Sequence, residues 1–279
     1  MTRVSANGSC LNVERCGEGE PLVLLHGFTG SAATWRDFQN LPFQSIAIDL
    51  PGHGKSDSLA NPERYRLDRL ADDLLACLDA ERVDRFHLLG YSLGGRVAMH
   101  LALQAPNRVR SLLLESTSPG IEDLAEREAR ARDDEALARF IEKEGLQAFV
   151  DRWERLPLFA TQQRLSPDTR AALRAQRMTG SPTGLAASLR GSGAGLQTPL
   201  WDRLDELEMP VLLLTGCLDG KYSAIMRRMA ALLPRATVEI VPGAGHAVHL
   251  EAPAVFEQAV TSFLASQREE VLAARRAKG

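Results

Sequence analysis

Arg85-Phe86-His87-Leu88-Leu89-Gly90-Tyr91-Ser92-Leu93-Gly94-Gly95-Arg96-Val97-Ala98-Met99-His100 carries, in one run, an apolar strand, a sharp turn and the start of a helix. The turn, Gly90-Tyr91-Ser92-Leu93-Gly94, has the pattern G-x-S-x-G. Between a strand and a helix this pattern is a nucleophile elbow: the glycine neighbours relieve a strained turn, and the serine hydroxyl stands exposed above the sheet. The pattern alone is common. The readable strand before it and helix after it make it specific.

Outward from the elbow the chain alternates strand and helix, as a doubly wound parallel sheet requires. Pro21-Leu22-Val23-Leu24-Leu25 and Ser45-Ile46-Ala47-Ile48-Asp49 read as buried strands, and leucines at 67, 70, 74, 75 and 78 predict a helix over 66–80. Further strands are expected at 86–89, 109–114, 211–214 and 237–241, with a closing helix after Pro253. Residues 119–200 show no strand. They are helical, charged and broken by Pro157, Pro167, Gly180, Pro182 and Gly191-Ser192-Gly193, and their formal charge is zero. Helices inserted between two core strands of such a sheet read as a cap over the active site. The expected organisation is 1–118 as the first part of the core, 119–200 as the cap and 201–279 as the second part of the core.

Composition bounds the function. With 279 residues, 44% hydrophobic content and a net charge of −3, the chain can bury a large core, and no basic stretch invites nucleic acid. The first nine residues lack an apolar signal region, and runs such as Val211-Leu212-Leu213-Leu214 are too short to cross a bilayer, so a cytoplasmic protein without membrane contact is expected. Cys10, Cys16, Cys77 and Cys217 have neither C-x-x-C spacing nor histidine partners, which argues against a metal or redox site. Of the 33 basic residues only Lys55, Lys143, Lys221 and Lys278 are lysine. This bias lowers the weight of any single arginine.

A serine hydroxyl needs a base within reach, and the base needs an acid to fix its tautomer. With an elbow of this kind the chain order is serine, acid, histidine. His246 in Pro242-Gly243-Ala244-Gly245-His246 occupies the place of the base, and Asp219 in Cys217-Leu218-Asp219-Gly220 that of the acid. Glu115 is the alternative acid. His249 reads as a residue at the start of a helix, His87 and His100 as structural, and His53 as a support for its own turn. One oxyanion donor is the backbone N–H after the nucleophile, Leu93; the loop His26-Gly27-Phe28 offers the N–H of Phe28 as the second.

His26-Gly27, Pro51-Gly52-His53-Gly54-Lys55-Ser56, the elbow and Gly243-Ala244-Gly245-His246 together resemble the α/β-hydrolase superfamily over essentially the whole chain. The resemblance implies a mostly parallel central sheet flanked by helices, with an inserted helical cap. A narrower likeness runs from the elbow through the cap. Arg96 four residues after Ser92, Ser118-Pro119-Gly120-Ile121, Glu128-Ala129-Arg130, Trp153-Glu154-Arg155-Leu156-Pro157-Leu158-Phe159, Leu173-Arg174-Ala175-Gln176-Arg177 and Ser188-Leu189-Arg190 are similar to the 2-succinyl-6-hydroxy-2,4-cyclohexadiene-1-carboxylate synthases of menaquinone biosynthesis. That likeness implies a lyase that eliminates pyruvate from a tricarboxylate, with no organic cofactor or metal. It further implies that Arg96, Arg130 and Arg177 bind substrate carboxylates, and that Tyr91, Trp153 and Phe159 line the pocket. Arginine forks suit carboxylates because they bind two oxygens at once and stay charged. Two rivals stand beside this reading: a serine carboxylester or C–C bond hydrolase, and a triad-bearing receptor that only binds. A monomer or small homo-oligomer is expected.

Overall fold

The computed structural model describes residues 2–38 and 42–276; residue 1, residues 39–41 and the last three positions of the expected second core part lie outside them. The strands are β1 (Thr2–Ala6), β2 (Ser9–Cys16), β3 (Pro21–Leu25), β4 (Gln44–Ile48), β5 (Phe86–Tyr91), β6 (Val109–Glu115), β7 (Val211–Gly216) and β8 (Ala236–Val241). They form one sheet in the order β1-β2-β4-β3-β5-β6-β7-β8. Every pair from β4 onward is parallel, while β1 and β2 are antiparallel to their neighbours. Parallel strands covered on both faces are expected to be continuously apolar. β3 is apolar throughout, and β7 is apolar from Val211 to Leu214; β5 is interrupted by His87.

The N-terminal hairpin went unread in the sequence. Asn7 and Gly8 both take positive φ, 48° and 79°, the two-residue turn that matches strand twist. Around it Val4 and Ala6 alternate with exposed residues. The expected 66–80 helix is α1 (Leu67–Ala80), and the elbow helix is α2 (Leu93–Gln104). These two and α6 (Gly220–Ala230) cover one face of the sheet, with Leu70, Leu74, Val97, Leu101 and Met226 in its core. The other face is closed by α8 (Pro253–Arg276), α7 (Val248–Glu251) and the 3-10 helix Ala32–Phe38, through Trp35, Phe38, Val248, Phe256 and Val260.

Between β6 and β7 the chain adds α3 (Leu124–Trp153), a 3-10 helix Pro157–Arg164, α4 (Pro167–Arg177) and α5 (Pro182–Ser192). Asp123, Ser166 and Ser181 cap α3, α4 and α5 by accepting from the N–H three residues on. α3 is broken at Gly145, whose φ is 82°. Ala138, Ile141, Phe149, Val150, Leu185 and Leu189 form a separate small core that reaches Phe28 and Trp153 beside it. Arg190 ties α5 to α3 by bonding Glu135 and Glu142, each at 2.8 Å. Gln176 of α4 fastens the insertion to the loop after β3: with its amide oxygen turned to them, it accepts from the N–H groups of Ser31 and Thr34 at 3.1 Å.

Close approach sets the elbow helix on the sheet. A Cβ on Gly94 would drive into the carbonyl oxygens of Leu25 and His26, the latter only 2.6 Å away. Those are backbone atoms at the end of β3 and of the residue that follows it, and they cannot give way cheaply. Gly94→Ala is expected to lower stability by about 3 kcal/mol in urea unfolding. An unchanged urea midpoint would show that the helix can slide without cost.

Candidate active site

Ser92 has φ 52° and ψ −109°, a strained conformation for a residue with a side chain. Its N–H donates to Glu115 O at 2.9 Å and its carbonyl accepts from Thr117 Oγ1 at 2.8 Å, so β6 on one side holds the turn in place. The Ser92 hydroxyl lies 3.2 Å from His246 Nε2, and His246 Nδ1 lies 2.7 Å from Asp219 Oδ2. With Nδ1–H donating to the carboxylate, Nε2 is left to accept from the hydroxyl. His246 and Asp219 are buried, 1% and 8% exposed, so this polar chain is shielded from competing water.

Three loops at the carboxyl ends of the strands bring these groups together. Asp219 closes the turn after β7 and caps α6 by accepting from Tyr222 N–H at 3.2 Å. The acid and base loops are joined by Leu218 N–H donating to Ala244 O at 2.9 Å. Glu251 braces the backbone on both sides of His246, accepting from Gly245 N–H at 2.7 Å and Ala247 N–H at 3.2 Å. The alternative acid, Glu115, lies against His249 at 2.9 Å instead of against His246. His249 is the second residue of the short helix α7, as its position in the sequence suggested.

The loop His26-Gly27-Phe28 passes directly over the elbow. A Cβ on Gly27 would meet the Tyr91 ring at 2.7 Å and Ser92 Cβ at 3.5 Å, so only glycine admits this approach. His26 supports the loop as a neutral ring: Nδ1–H donates to Gly27 O at 2.8 Å and Nε2 accepts from Leu50 N–H at 3.0 Å. His53 lies 5.1 Å away, and its Nδ1–H donates to Pro51 O at 3.0 Å.

Burial pulls His26 down to about 4; burial, and then the neighbouring His26, pulls His53 down to about 3. In the unfolded chain both would take up a proton near the ordinary value of 6.5. Between about pH 6.5 and pH 4 the unfolded state therefore binds more protons, and stability is lost as pH falls through that window. From pH 7 to pH 5 each fully buried ring is expected to cost about 2 kcal/mol. Urea unfolding at the two pH values measures this, and equal stabilities would contradict it.

Over Ser92 opens a cavity of about 440 Å³, bounded by the elbow, the loop after β3 and the inserted helices. Tyr91, Arg96, Arg130, Trp153, Phe159 and Arg177 all line it. Its aromatic wall is continuous: Phe28 packs on Trp153 at 5.3 Å, Trp153 on Phe159 at 5.4 Å, and Phe159 and Tyr91 on His246 at 6.1 and 5.4 Å.

The three arginines are not equivalent. Arg130 is bound by Asp134 one helical turn on, at 2.8 Å, and Arg177 by Glu154 and Gln162, at 3.1 and 3.0 Å, with its guanidinium over the Phe159 ring. The partners of Arg96 are two neutral oxygens, Ser192 O at 2.7 Å and Gln197 Oε1 at 3.5 Å. Burial draws its guanidinium down to about 10, so it remains charged at neutral pH.

Sequence reasoning missed Asp134, Glu154, Gln162 and Tyr222. The i,i+4 spacing of Arg130 and Asp134 was a readable signal. Tyr222 packs on His246 at 4.7 Å and lines the cavity, but no motif marked it. Among the described residues no helix is long and apolar enough to cross a membrane, and no cluster of His, Cys, Asp and Glu could hold a metal ion.

Residues 20–253 match the family model described as alpha/beta hydrolase fold. A Bacillus subtilis (strain 168) protein provisionally named 2-succinyl-6-hydroxy-2,4-cyclohexadiene-1-carboxylate synthase is 45% identical over 88% of this chain and 91% of its own. The Serratia proteamaculans (strain 568) protein of that name is 34% identical over 87% of this chain and 92% of its own. The structure of MenH from S. aureus superposes with a TM-score of 0.87 at 34% identity, covering 92% of this chain and 98% of that one. The chain belongs to the α/β-hydrolase family and, within it, to the family of the 2-succinyl-6-hydroxy-2,4-cyclohexadiene-1-carboxylate synthases.

Proposed function

We propose that this protein is a lyase of menaquinone biosynthesis that eliminates pyruvate from 2-succinyl-5-enolpyruvyl-6-hydroxy-3-cyclohexene-1-carboxylate to give 2-succinyl-6-hydroxy-2,4-cyclohexadiene-1-carboxylate. The names of the relatives support the reaction, and Arg96 carries the reading on this chain's own geometry. It is a half-buried guanidinium held by neutral oxygens, one helical turn from Ser92 and open to the same cavity. A cation partly withdrawn from water without a bonded anion is costly, and a substrate carboxylate supplies that anion. Arg130 and Arg177 on the insertion serve the other carboxylates while their own acidic partners hold them in place.

In this reading His246, oriented by Asp219, takes the hydroxyl proton of Ser92. The serine oxygen then acts as a base and removes the ring proton next to the succinyl carbonyl, which is acidified by that carbonyl and by the neighbouring ring double bond. The enolate oxygen is received by the N–H groups of Phe28 and Leu93, donors fixed before the charge develops. Collapse of the enolate through the ring double bond breaks the ring C–O bond. The departing enol oxygen takes the proton held by His246, Ser92 keeps the ring proton as its hydroxyl, and the enol becomes pyruvate. The helical insertion acts as the cap that excludes water from this step.

The same Ser92–His246–Asp219 geometry would serve a serine hydrolase, and the arginines separate the two readings. Purified protein supplied with the enolpyruvyl precursor, made in situ, is expected to release pyruvate at enzymatic rates. Absence of release combined with brisk hydrolysis of a short p-nitrophenyl ester would assign the chain to the hydrolases.

A further inference from the structure

We infer that Glu115 is a positioning residue that holds Ser92 and His246 in register, acting on the elbow through its carbonyl and on the base loop through His249. Glu115 is the last residue of β6, and its carbonyl accepts from Ser92 N–H at 2.9 Å. Its carboxylate accepts from His249 twice, from the backbone N–H at 3.1 Å and from Nδ1–H at 2.9 Å. One residue thus fixes the turn that carries the hydroxyl and the segment three residues beyond the base.

The surroundings leave the pair little freedom. Glu115 is 1% exposed and His249 2%. The His249 ring is wedged between Trp35, at 5.1 Å, and Tyr91, at 4.7 Å, and Tyr91 in turn packs on His246. Movement of His249 would therefore reach His246 along the backbone and through the Tyr91 ring. A buried carboxylate–imidazole pair is a poor source of stability, since apolar side chains of similar volume commonly serve as well. What an apolar pair lacks is direction: two donors converging on one carboxylate set both the height and the rotation of the base loop. A misplacement of about 1 Å between reacting groups is enough to cost about 100-fold in rate.

The inference rests on Ser92 and His246 acting as a reactive pair, and the test separates it from the choice of substrate. The rate at which a fluorophosphonate modifies Ser92 reports on that pair without reference to pyruvate elimination. His249→Phe keeps a ring between Trp35 and Tyr91 and removes the Nδ1 donor. It is expected to slow both Ser92 modification and kcat by about 10- to 100-fold, with KM within about twofold of the parent. Glu115→Gln keeps an acceptor oxygen for His249 and is expected to fall between His249→Phe and the parent in both rates. A role in folding alone would lower the melting temperature and leave both rates per folded molecule at the parent value; that result overturns the inference. Should His249→Phe fail to fold, Glu115→Gln decides by the same two rates. A parent protein that labels at Ser92 yet releases no pyruvate would refute the proposed reaction and leave this inference standing. A parent that does not label has no reactive pair to position, and the inference falls.

Discussion

Ser92→Ala is expected to slow pyruvate release by about 10,000-fold while the fold and substrate affinity stay near the parent values. The reasoning is geometric. His246 Nε2 has the Ser92 hydroxyl at 3.2 Å, and Tyr91, Tyr222 and Phe159 pack its ring, so the imidazole is held for that one partner. Without the serine oxygen no base stands between the imidazole and the substrate. The oxyanion donors and arginines would still bind, which is why KM should move little. Because alanine at 92 keeps the strained backbone with φ 52°, the melting temperature should also change little. Single-turnover pyruvate release measures the rate. A variant within tenfold of the parent would mean that His246 or a water acts directly, and would end the serine-base proposal.

Arg96→Met is expected to lower kcat/KM by about 100-fold and to raise the melting temperature by about 2 °C. The two effects have opposite signs for one reason. In the free protein the guanidinium is half-buried against two neutral oxygens and feels Asp134 only at a distance, so an apolar side chain of similar length removes a charge that has no bonded anion. In the complex the same change leaves a substrate carboxylate buried without its partner, a loss of about 3 kcal/mol. Both kcat and KM should suffer, because the carboxylate that Arg96 holds also fixes the ring over Ser92. Arg96→Lys, which keeps the charge and loses the fork, should fall between the two. Steady-state kinetics and thermal unfolding of the three proteins check this. An Arg96→Met variant with parent kinetics would remove Arg96 from the substrate site.

Much of this could be read along the chain, because the signals were local. The elbow depends on Gly90, Ser92 and Gly94 within five residues, and β3, β5, β6 and β7 each carry a central run of leucine and valine of the kind a doubly covered sheet accommodates. The hairpin of β1 and β2 is equally local, since Asn7-Gly8 supplies the two positive φ values that its turn needs. The meeting of His246 and Asp219 was legible because each lies in the loop after a strand, at a fixed place in the chain order.

Spacing went only part of the way with the arginines. Arg96 stands out by its place one turn after Ser92, and the i,i+4 spacing can pair Arg130 with Asp134, but the chain is rich in arginine. Only the folded structure gives Arg177 to Glu154 and leaves Arg96 against a carbonyl and an amide. Glu115 is the sharper case. As a residue near the end of a strand it was a fair alternative acid for His246, while His249, three residues on, read only as a residue at the start of a helix. The choice was made by the turn of α7, which carries His249 onto Glu115 and leaves His246 to Asp219. The sequence by itself determined which elements form and which residue types meet at their ends, since propensity and local turn geometry act over a few residues. Which charge faces which partner was decided only when the loops of β6, β7 and β8 packed together, because burial and pairing are properties of groups far apart in the chain.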